Sequence, residues 1–177
     1  MERVARMMGS MVVVGSLGGC AWSERQVPPT PAATVSPAAA ADPQATAAAA
    51  LAESILRFVQ VDGWFEEDST RFVAFFDDGE LRQLIERIDG PTESATVSQY
   101  YFDGTRLFYF DQHRRNVSDE GPHAANTRLS FDANGTLLRA ERSIDGAPAL
   151  VTDDEVLAVR LRVEVLRIAA QDARRRQ

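Results

Sequence analysis

The chain has 177 residues, a formal net charge of −7 and a sequence pI near 4.9. This length suits one domain with a single hydrophobic core, and the acidic balance excludes the clustered basic surface that nucleic-acid binding requires. The single cysteine, Cys20, excludes an intramolecular disulfide.

The amino terminus has the three parts of an export signal. Arg3 and Arg6 provide the charged start, residues 7–17 form an apolar run, and small residues lead to Cys20. The run is shorter than the roughly 20 apolar residues that span a bilayer. We therefore predict a cleaved signal peptide over residues 1–19.

The tetrapeptide Leu17-Gly18-Gly19-Cys20 resembles the bacterial lipobox. This resemblance implies cleavage before Cys20, acylation of Cys20 and attachment to a membrane through that lipid. The absence of aspartate at Ala21 implies export to the outer membrane, facing the periplasm, if the host has two membranes. The alternative is a cysteine that merely follows an ordinary secretory leader.

A change of composition follows the cysteine. Residues 20–42 are rich in alanine and contain Pro28, Pro29, Pro31 and Pro37, without apolar periodicity. Proline-rich chain extends by about 3.1 Å per residue, so roughly twenty residues reach up to about 60 Å. We predict a tether, or a featureless stretch with no spacing role, before a single domain over residues 43–177.

The domain opens with a predicted helix. Asp42 suits the N-cap and Pro43 the first helical position, and the following alanines favour helix. Apolar side chains then recur at helical spacing, at Leu51, Ile55, Phe58 and Val59. The pair Asp62-Gly63 is predicted to end this helix.

Three segments repeat one pattern: an apolar run, an Asp-Gly or Asn-Gly pair, and a second apolar run. The pairs are Asp78-Gly79, Asp103-Gly104 and Asn134-Gly135. Such pairs favour tight hairpins, because a type I′ turn needs positive φ at both central residues. The three hairpins predict an antiparallel sheet of about six strands.

Two-residue turns would fix the register of each hairpin. The first hairpin would pair Phe76 with Leu81, Phe72 with Ile85 and Arg71 with Glu86. The third would pair Phe131 with Leu138, Leu129 with Ala140, Ser130 with Arg139 and Arg128 with Glu141. The third hairpin then has one apolar and one polar face, as expected of a sheet covered on one side.

The middle hairpin predicts two apolar faces. One contains Tyr100, Phe102, Leu107 and Tyr109, and the other contains Val97, Tyr101, Phe108 and Phe110. Either helices cover both faces, or one face is an aromatic docking patch. The candidate binding surface is Tyr101, Phe108 and Phe110, because Gln99 and Arg106 make that face the more polar.

A polar loop is predicted over residues 116–126. Its His123, together with Asp111 and His113, could form a metal or catalytic site. We do not predict one, because Asp-x-His with a distant histidine matches no recognised ligand spacing. The chain also has no nucleophile elbow, phosphate loop, dinucleotide fingerprint or His-Glu-x-x-His motif. The sequence thus predicts no catalytic residue, no metal and no cofactor.

The chain ends in a second predicted helix. Thr152 and Glu155 have the spacing of a capping box, and residues 174–176 place arginines at the carboxyl end. Apolar residues occupy two sides, with Leu157, Leu161, Val165 and Ile168 on one and Val159, Val163, Leu166 and Ala170 on the other. We therefore predict heavy burial of this helix.

Together these elements predict an α+β fold, with an antiparallel sheet flanked by an amino-terminal and a carboxy-terminal helix. The sequence favours a membrane-anchored envelope lipoprotein with a non-catalytic binding or scaffolding domain. Its candidate partner is an envelope protein, and no nucleic acid is expected. A carrier that encloses an apolar ligand between sheet and helices is the second hypothesis. An enzyme that uses Asp111, His113 and His123 is the third.

Overall fold

A computed structural model describes residues 41–65, 69–91, 93–118 and 121–177. All of them belong to one compact unit, Ala38–Gln177. The predicted signal peptide, Cys20 and most of the predicted tether lie outside the described residues. The lipid anchor therefore stays a prediction.

The described chain forms an antiparallel sheet and two helices, which confirms the predicted α+β class. The helices are α1 (Pro43–Glu53) and α2 (Asp153–Arg175), and a 3₁₀ turn covers Ile55–Arg57. The strands are β1 (Val59–Phe65), β2 (Thr70–Asp77), β3 (Glu80–Asp89), β4 (Ala95–Asp103), β5 (Arg106–Ser118), β6 (Gly121–Phe131), β7 (Leu137–Ile144) and β8 (Ala147–Ala149).

Each strand pairs antiparallel with the next one along the chain, from β1 to β8. The described sheet has eight strands rather than about six, because β1 and the short β8 add one strand at each edge. Strand β8 follows the pair Asp145-Gly146, whose φ angles are 51° and 81°. This pair has the same signature as the three predicted turns, so it was recognisable in the sequence.

Helix α1 begins as predicted. The Asp42 carboxylate accepts a hydrogen bond from the backbone N–H of Gln44 at 2.9 Å, and Pro43 occupies the first helical position. The helix ends at Glu53, so Phe58 does not continue its apolar stripe. The predicted length is wrong because the chain from residue 59 onward pairs with β2 instead.

The predicted stop at Asp62-Gly63 is wrong, because both residues lie inside β1. Gly63 pairs with Phe72 on β2. A β-carbon at position 63 would overlap the Phe72 ring, so glycine allows that ring to lie across the strand. Val61 and Phe65 point to the same face as Gly63 and contact the core.

The first predicted turn is confirmed, and the second is displaced by one residue. Asp78 and Gly79 have φ angles of 49° and 90°, as a type I′ turn requires. In the middle hairpin Asp103 pairs with Arg106, so the turn lies one residue later than the predicted Asp103-Gly104.

Each predicted hairpin carries one extra residue on its second strand. The pairing skips Arg82 in the first hairpin, Phe108 in the middle one and Leu138 in the third. A β-bulge of this kind bends the strand and reverses the faces of the residues beyond it. Local turn chemistry does not reveal such an insertion, so in the first and third hairpins the predicted register is correct on only one side of the bulge. In the middle hairpin the displaced turn makes the predicted register wrong on both sides.

Some of the predicted cross-strand pairs are therefore correct and others are wrong. Those predicted correctly are Phe76 with Leu81, Leu129 with Ala140, Ser130 with Arg139 and Arg128 with Glu141. Those predicted wrongly involve Phe72, which pairs with Glu86; Arg71, which pairs with Arg87; and Phe131, which pairs with Leu137.

Residues 116–118 and 121–126 belong to strands rather than to the predicted loop. Val117 pairs with Pro122 and Asn116 with His123. Most side chains of these residues face solvent, so this part of the sequence lacks apolar alternation. Backbone hydrogen bonds hold the two strands together, and Pro122 lies near the start of β6, where a strand tolerates proline.

Helix α2 has the predicted capping box. The Thr152 hydroxyl accepts from the Glu155 N–H at 3.3 Å, and the Glu155 carboxylate accepts from the Thr152 N–H at 2.9 Å. Near the other end the Arg174 guanidinium donates to the Gly79 carbonyl at 2.6 Å and lies 4.8 Å from the centre of the Phe76 ring. Hydrogen bonds thus fix both ends of α2.

The heavy burial predicted for α2 applies to only one of its two apolar sides. The buried residues are Val156, Val163, Leu166, Ala170 and Ala173. The opposite side is exposed, and it contains Leu157, Leu161, Val165 and Ile168. The prediction fails because the described chain places a sheet against one side of the helix and nothing against the other.

The sheet has a different environment on each face. We call the face that packs against α2 the α2 face, and the face that packs against α1 the α1 face. The α2 face contains the main core, which includes Phe72, Phe76, Leu84, Tyr100, Phe102, Phe110, Leu129 and Phe131. The α1 face contains a smaller cluster built on Tyr101 and Tyr109.

Candidate functional site

The structure separates the three residues of the predicted binding surface. Tyr101 and Phe108 lie together on the α1 face, whereas Phe110 lies on the α2 face, 5.2 Å from the Tyr100 ring. The bulge at Phe108 causes this difference, because it moves Tyr109 onto the α1 face beside Tyr101. The predicted grouping is therefore wrong at Phe110, and Tyr109 takes its place.

These three rings form an aromatic platform, which we define as Tyr101, Phe108 and Tyr109. The Tyr101 ring centre lies 5.8 Å from that of Tyr109 and 6.4 Å from that of Phe108. Helix α1 packs on the platform through residues that are mostly alanine: Ala45, Ala48, Leu51 and Ala52. Small side chains let the helix backbone approach the rings closely but fill little volume.

Polar contacts at its first turn fix α1 to the sheet. One carboxylate oxygen of Asp42 caps the helix, and the other accepts a hydrogen bond from the Ser130 hydroxyl on β6. Ala48 is the only buried residue of α1. The helix is thus held firmly at its start and only lightly along its length.

The tyrosines of the platform are neutral at physiological pH. Burial, with the nearby charge of Asp111, raises the pKa of Tyr101 to about 12, and burial also raises the pKa of Tyr109. The Tyr101 hydroxyl donates to the Gln99 side chain at 2.8 Å. Because neither phenol loses its proton near neutrality, the platform offers ring surface rather than a catalytic base.

A pocket of about 390 Å³ opens beside the platform, between α1 and the turn end of the sheet. Its apolar side-chain surface comes from Ala47, Leu51 and Phe108, because the rings of Phe102 and Phe131, which also border it, are buried in the core of the α2 face. Its polar rim is Gln44, Arg82, Asp103, Arg106 and Asp132. The volume lies within the range of roughly 300–1,000 Å³ that small-molecule sites occupy.

The charged groups of the rim already have partners within the protein. Arg106 donates to Asp103 at 2.8 Å, and Arg82 lies 3.1 Å from Glu80. Asp132 accepts from two backbone N–H groups at 2.7 and 2.8 Å, and the bond from Thr136 holds its pKa below the ordinary value. The rim therefore shapes the entrance, whereas the apolar walls provide the surface for a ligand.

The histidines do not form the site considered from the sequence. His113 contacts Asn126 at 2.6 Å and Asp111 at 3.3 Å, while His123 pairs with Asp145 at 2.8 Å. The two histidines thus have separate partners. Across the described ranges, no cluster of three or more histidine, cysteine, aspartate or glutamate side chains could hold a metal ion.

A buried charge on the α2 face is the second place where chemistry could occur. The Glu86 carboxylate accepts from the Tyr100 hydroxyl at 2.7 Å and from the Arg162 guanidinium at 2.7 Å. Burial and the negative charge of Glu86 raise the pKa of Tyr100. Both carboxylate oxygens of Glu86 are therefore engaged, and this cluster joins α2 to the sheet.

Comparisons with known proteins do not add a function. No protein-family model matches the chain, and neither a curated protein nor a solved structure is significantly similar to it. In the part of the chain that the structure describes, neither helix has the length and apolar character needed to cross a bilayer.

The order of the predicted turns indicates which end of the sheet borders the pocket, although the pocket itself was not predicted. In an antiparallel meander, alternate connections lie at the same end of the sheet. The three predicted turns are alternate connections, so they meet at one end, where Asp103 and Asp132 border the pocket. The position of α1 over this end depends on long-range packing, and no local pattern specifies it.

Proposed function

We propose that this chain is a tethered, non-catalytic binding protein of the bacterial cell envelope, and that the pocket beside α1 binds an apolar small molecule. The observation that carries the proposal is the pocket itself. Leu51, Ala47 and Phe108 provide its apolar side-chain surface, and they lie at a helix that buries little of its own surface.

The wall chemistry supports binding rather than catalysis. Ligand sites are mostly apolar, with a few polar groups that fix orientation. Here the nearby tyrosines keep their protons, and the rim arginines and carboxylates have internal partners. The ligand that fits best has an apolar body and a small polar group that can reach Gln44 or the rim.

Position in the chain supports the envelope part of the proposal. The lipobox-like sequence ends at Cys20, and the proline-rich stretch leads directly into α1. The helix that covers the pocket is therefore the element nearest the proposed anchor. Cys20→Ser should move the protein from the membrane to the soluble fraction, and mass spectrometry of the mature amino terminus should find lipid on Cys20.

The pocket is tested with a fluorescent probe and two matched tryptophan substitutions. Ala47 lines the pocket, whereas Ala49 is exposed on the opposite side of α1. The probe is 8-anilinonaphthalene-1-sulfonate, an apolar fluorophore with one sulfonate. Ala47→Trp should weaken its binding at least tenfold, because the indole occupies the pocket, and Ala49→Trp should change it less than twofold.

Equal affinities for the two variants, or no saturable binding by the wild-type protein, would contradict the proposed pocket. Circular dichroism melts of both variants provide the folding control. An unmodified amino terminus at another residue than Cys20 would contradict the anchor and leave the pocket unaffected.

A further inference from the structure

The outer side of α2 carries an apolar stripe, which we define as Leu157, Leu161, Val165 and Ile168. These side chains are 53%, 62%, 48% and 57% exposed. They recur at intervals of three and four residues, so they lie along one side of the helix over about 17 Å. Isolated exposed leucines are ordinary, but a continuous stripe of this length indicates an interaction surface.

We propose that this stripe is the contact surface of a homodimer, in which α2 of one copy packs antiparallel against α2 of a second copy. A two-fold axis beside residues 161–165 would place each stripe on its own counterpart. This self-complementary arrangement is the one that a symmetric dimer requires. The inference does not depend on the proposed pocket, which lies on the other side of the sheet.

Charge supports the antiparallel direction. Helix α2 begins with Asp153 and Asp154 and ends at Arg175, which Arg176 follows as the C-cap residue. An antiparallel pair brings the acidic end of each helix beside the basic end of the other, whereas a parallel pair would bring like charges together. Opposite charges across an interface favour one orientation and disfavour the other.

The acidic residues beside the stripe form ion pairs with arginines of their own helix. Glu164, the acidic residue closest to the proposed axis, pairs with Arg167 of its own helix at 2.6 Å. Asp172 likewise pairs with Arg175 at 3.4 Å. The apolar residues of two copies can therefore meet without burying an unpaired charge.

The composition of the stripe disfavours a membrane surface as its occupant. Helices that lie on anionic membranes combine a basic polar face with aromatic residues at the boundary. Within α2 the acidic residues 153, 154, 155, 164 and 172 balance the basic residues 160, 162, 167, 174 and 175, and the helix contains no aromatic residue. A second copy supplies the complementary charges that a lipid surface lacks.

The test uses cysteine cross-linking of the full chain in cells. Glu164→Cys places a thiol near the proposed axis, beside its symmetry mate, so diamide oxidation should produce a covalent dimer. Asp154→Cys places the thiols roughly 27 Å apart along the helices and should not cross-link. Leu150→Cys, at an 89% exposed site outside α2, measures random collisions, and the unsubstituted chain measures any dimer formed through Cys20.

A second substitution tests the stripe itself. Leu161→Glu, added to Glu164→Cys, should reduce the cross-linked fraction at least tenfold, and its thermal midpoint should match that of Glu164→Cys alone. Leu161→Gln repeats the test without a new charge. Both changes affect an exposed site, so the monomer should fold normally.

Three results would overturn the proposal. The first is cross-linking of Glu164→Cys no stronger than that of Leu150→Cys. The second is efficient cross-linking of Asp154→Cys, which would indicate a parallel pair. The third is binding of the Cys20→Ser chain to phosphatidylglycerol vesicles that Leu161→Glu abolishes, which would identify lipid as the occupant of the stripe.

Discussion

The two faces of the sheet differ in how they are covered. The α2 face packs large rings, including Phe76, Phe102 and Phe110, against a 23-residue helix with a complete capping box. The α1 face packs a few rings against an 11-residue helix made largely of alanine. The first arrangement fills its volume, whereas the second leaves a pocket at its edge.

This difference separates stability from binding. Burial of apolar surface stabilises the fold in proportion to the area removed from water, so most of the stability should come from the α2 face. A lightly held cover can admit a ligand without disturbing that core. The α1 face is therefore the better place for a function that requires opening.

Truncation of one ring on each face should produce the largest contrast. Phe110 is fully buried on the α2 face, and Phe110→Ala should reduce the free energy of unfolding by about 3 to 5 kcal/mol. Phe108 is half-buried at the edge of the pocket, and Phe108→Ala should cost about 1 kcal/mol because part of that ring already contacts water. Urea denaturation of both variants measures the difference, and similar losses would remove the distinction between the faces.

Removal of Arg162, the residue of α2 that pairs with Glu86, should have the next largest effect on the free energy of unfolding. Arg162→Leu leaves a buried carboxylate without its cation, at a cost of about 3 kcal/mol. The double variant Glu86→Gln, Arg162→Leu should recover much of that loss, because the unpaired charge is gone. A double variant less stable than Arg162→Leu would indicate that Glu86 does not depend on its arginine.

Acid should weaken the cap of α2 by a smaller amount. The backbone hydrogen bond from Thr152, followed by Arg142, holds the pKa of Glu155 below its ordinary value of 4.5. A carboxyl group with a lowered pKa in the folded protein stabilises it above that ordinary value, and this contribution disappears as the pH falls through the folded pKa. Glu155→Gln should therefore lower the thermal midpoint at pH 7, and this decrease should become smaller as the pH falls below 4.5. A decrease of the same size at every pH would contradict this assignment.

The sequence predicted those features that depend on neighbouring residues. Both helix caps, at Asp42 and Thr152, and the turn at Asp78-Gly79 arise from local chemistry, and the structure has all three. The α+β class follows from the hairpins themselves. These features can be predicted from the sequence because the contacts that form them join residues only a few positions apart.

Features set by contacts between distant residues were not predicted. The bulge at Phe108 reversed the faces of Tyr109 and Phe110, although the turn was located to within one residue. The helical spacing of Phe58 and Val59 predicts helix up to Asp62, but residues 59–61 already belong to β1, because pairing with β2 outweighs that local preference. Tyr101 and Phe108 share one face of the sheet, as predicted, but the pocket beside them also needs Leu51 of α1 and residues 132–133, which come from elsewhere in the chain.

Hydrogen exchange tests most directly the claim that the two faces are unequal. Amides of α1 should exchange through a local opening, with a much smaller opening free energy than amides of α2 and of the central strands β4 and β5. Addition of 8-anilinonaphthalene-1-sulfonate should slow exchange in α1 and leave α2 unchanged. Exchange of α1 and α2 at the same rate through global unfolding, with no selective effect of the probe, would contradict this claim.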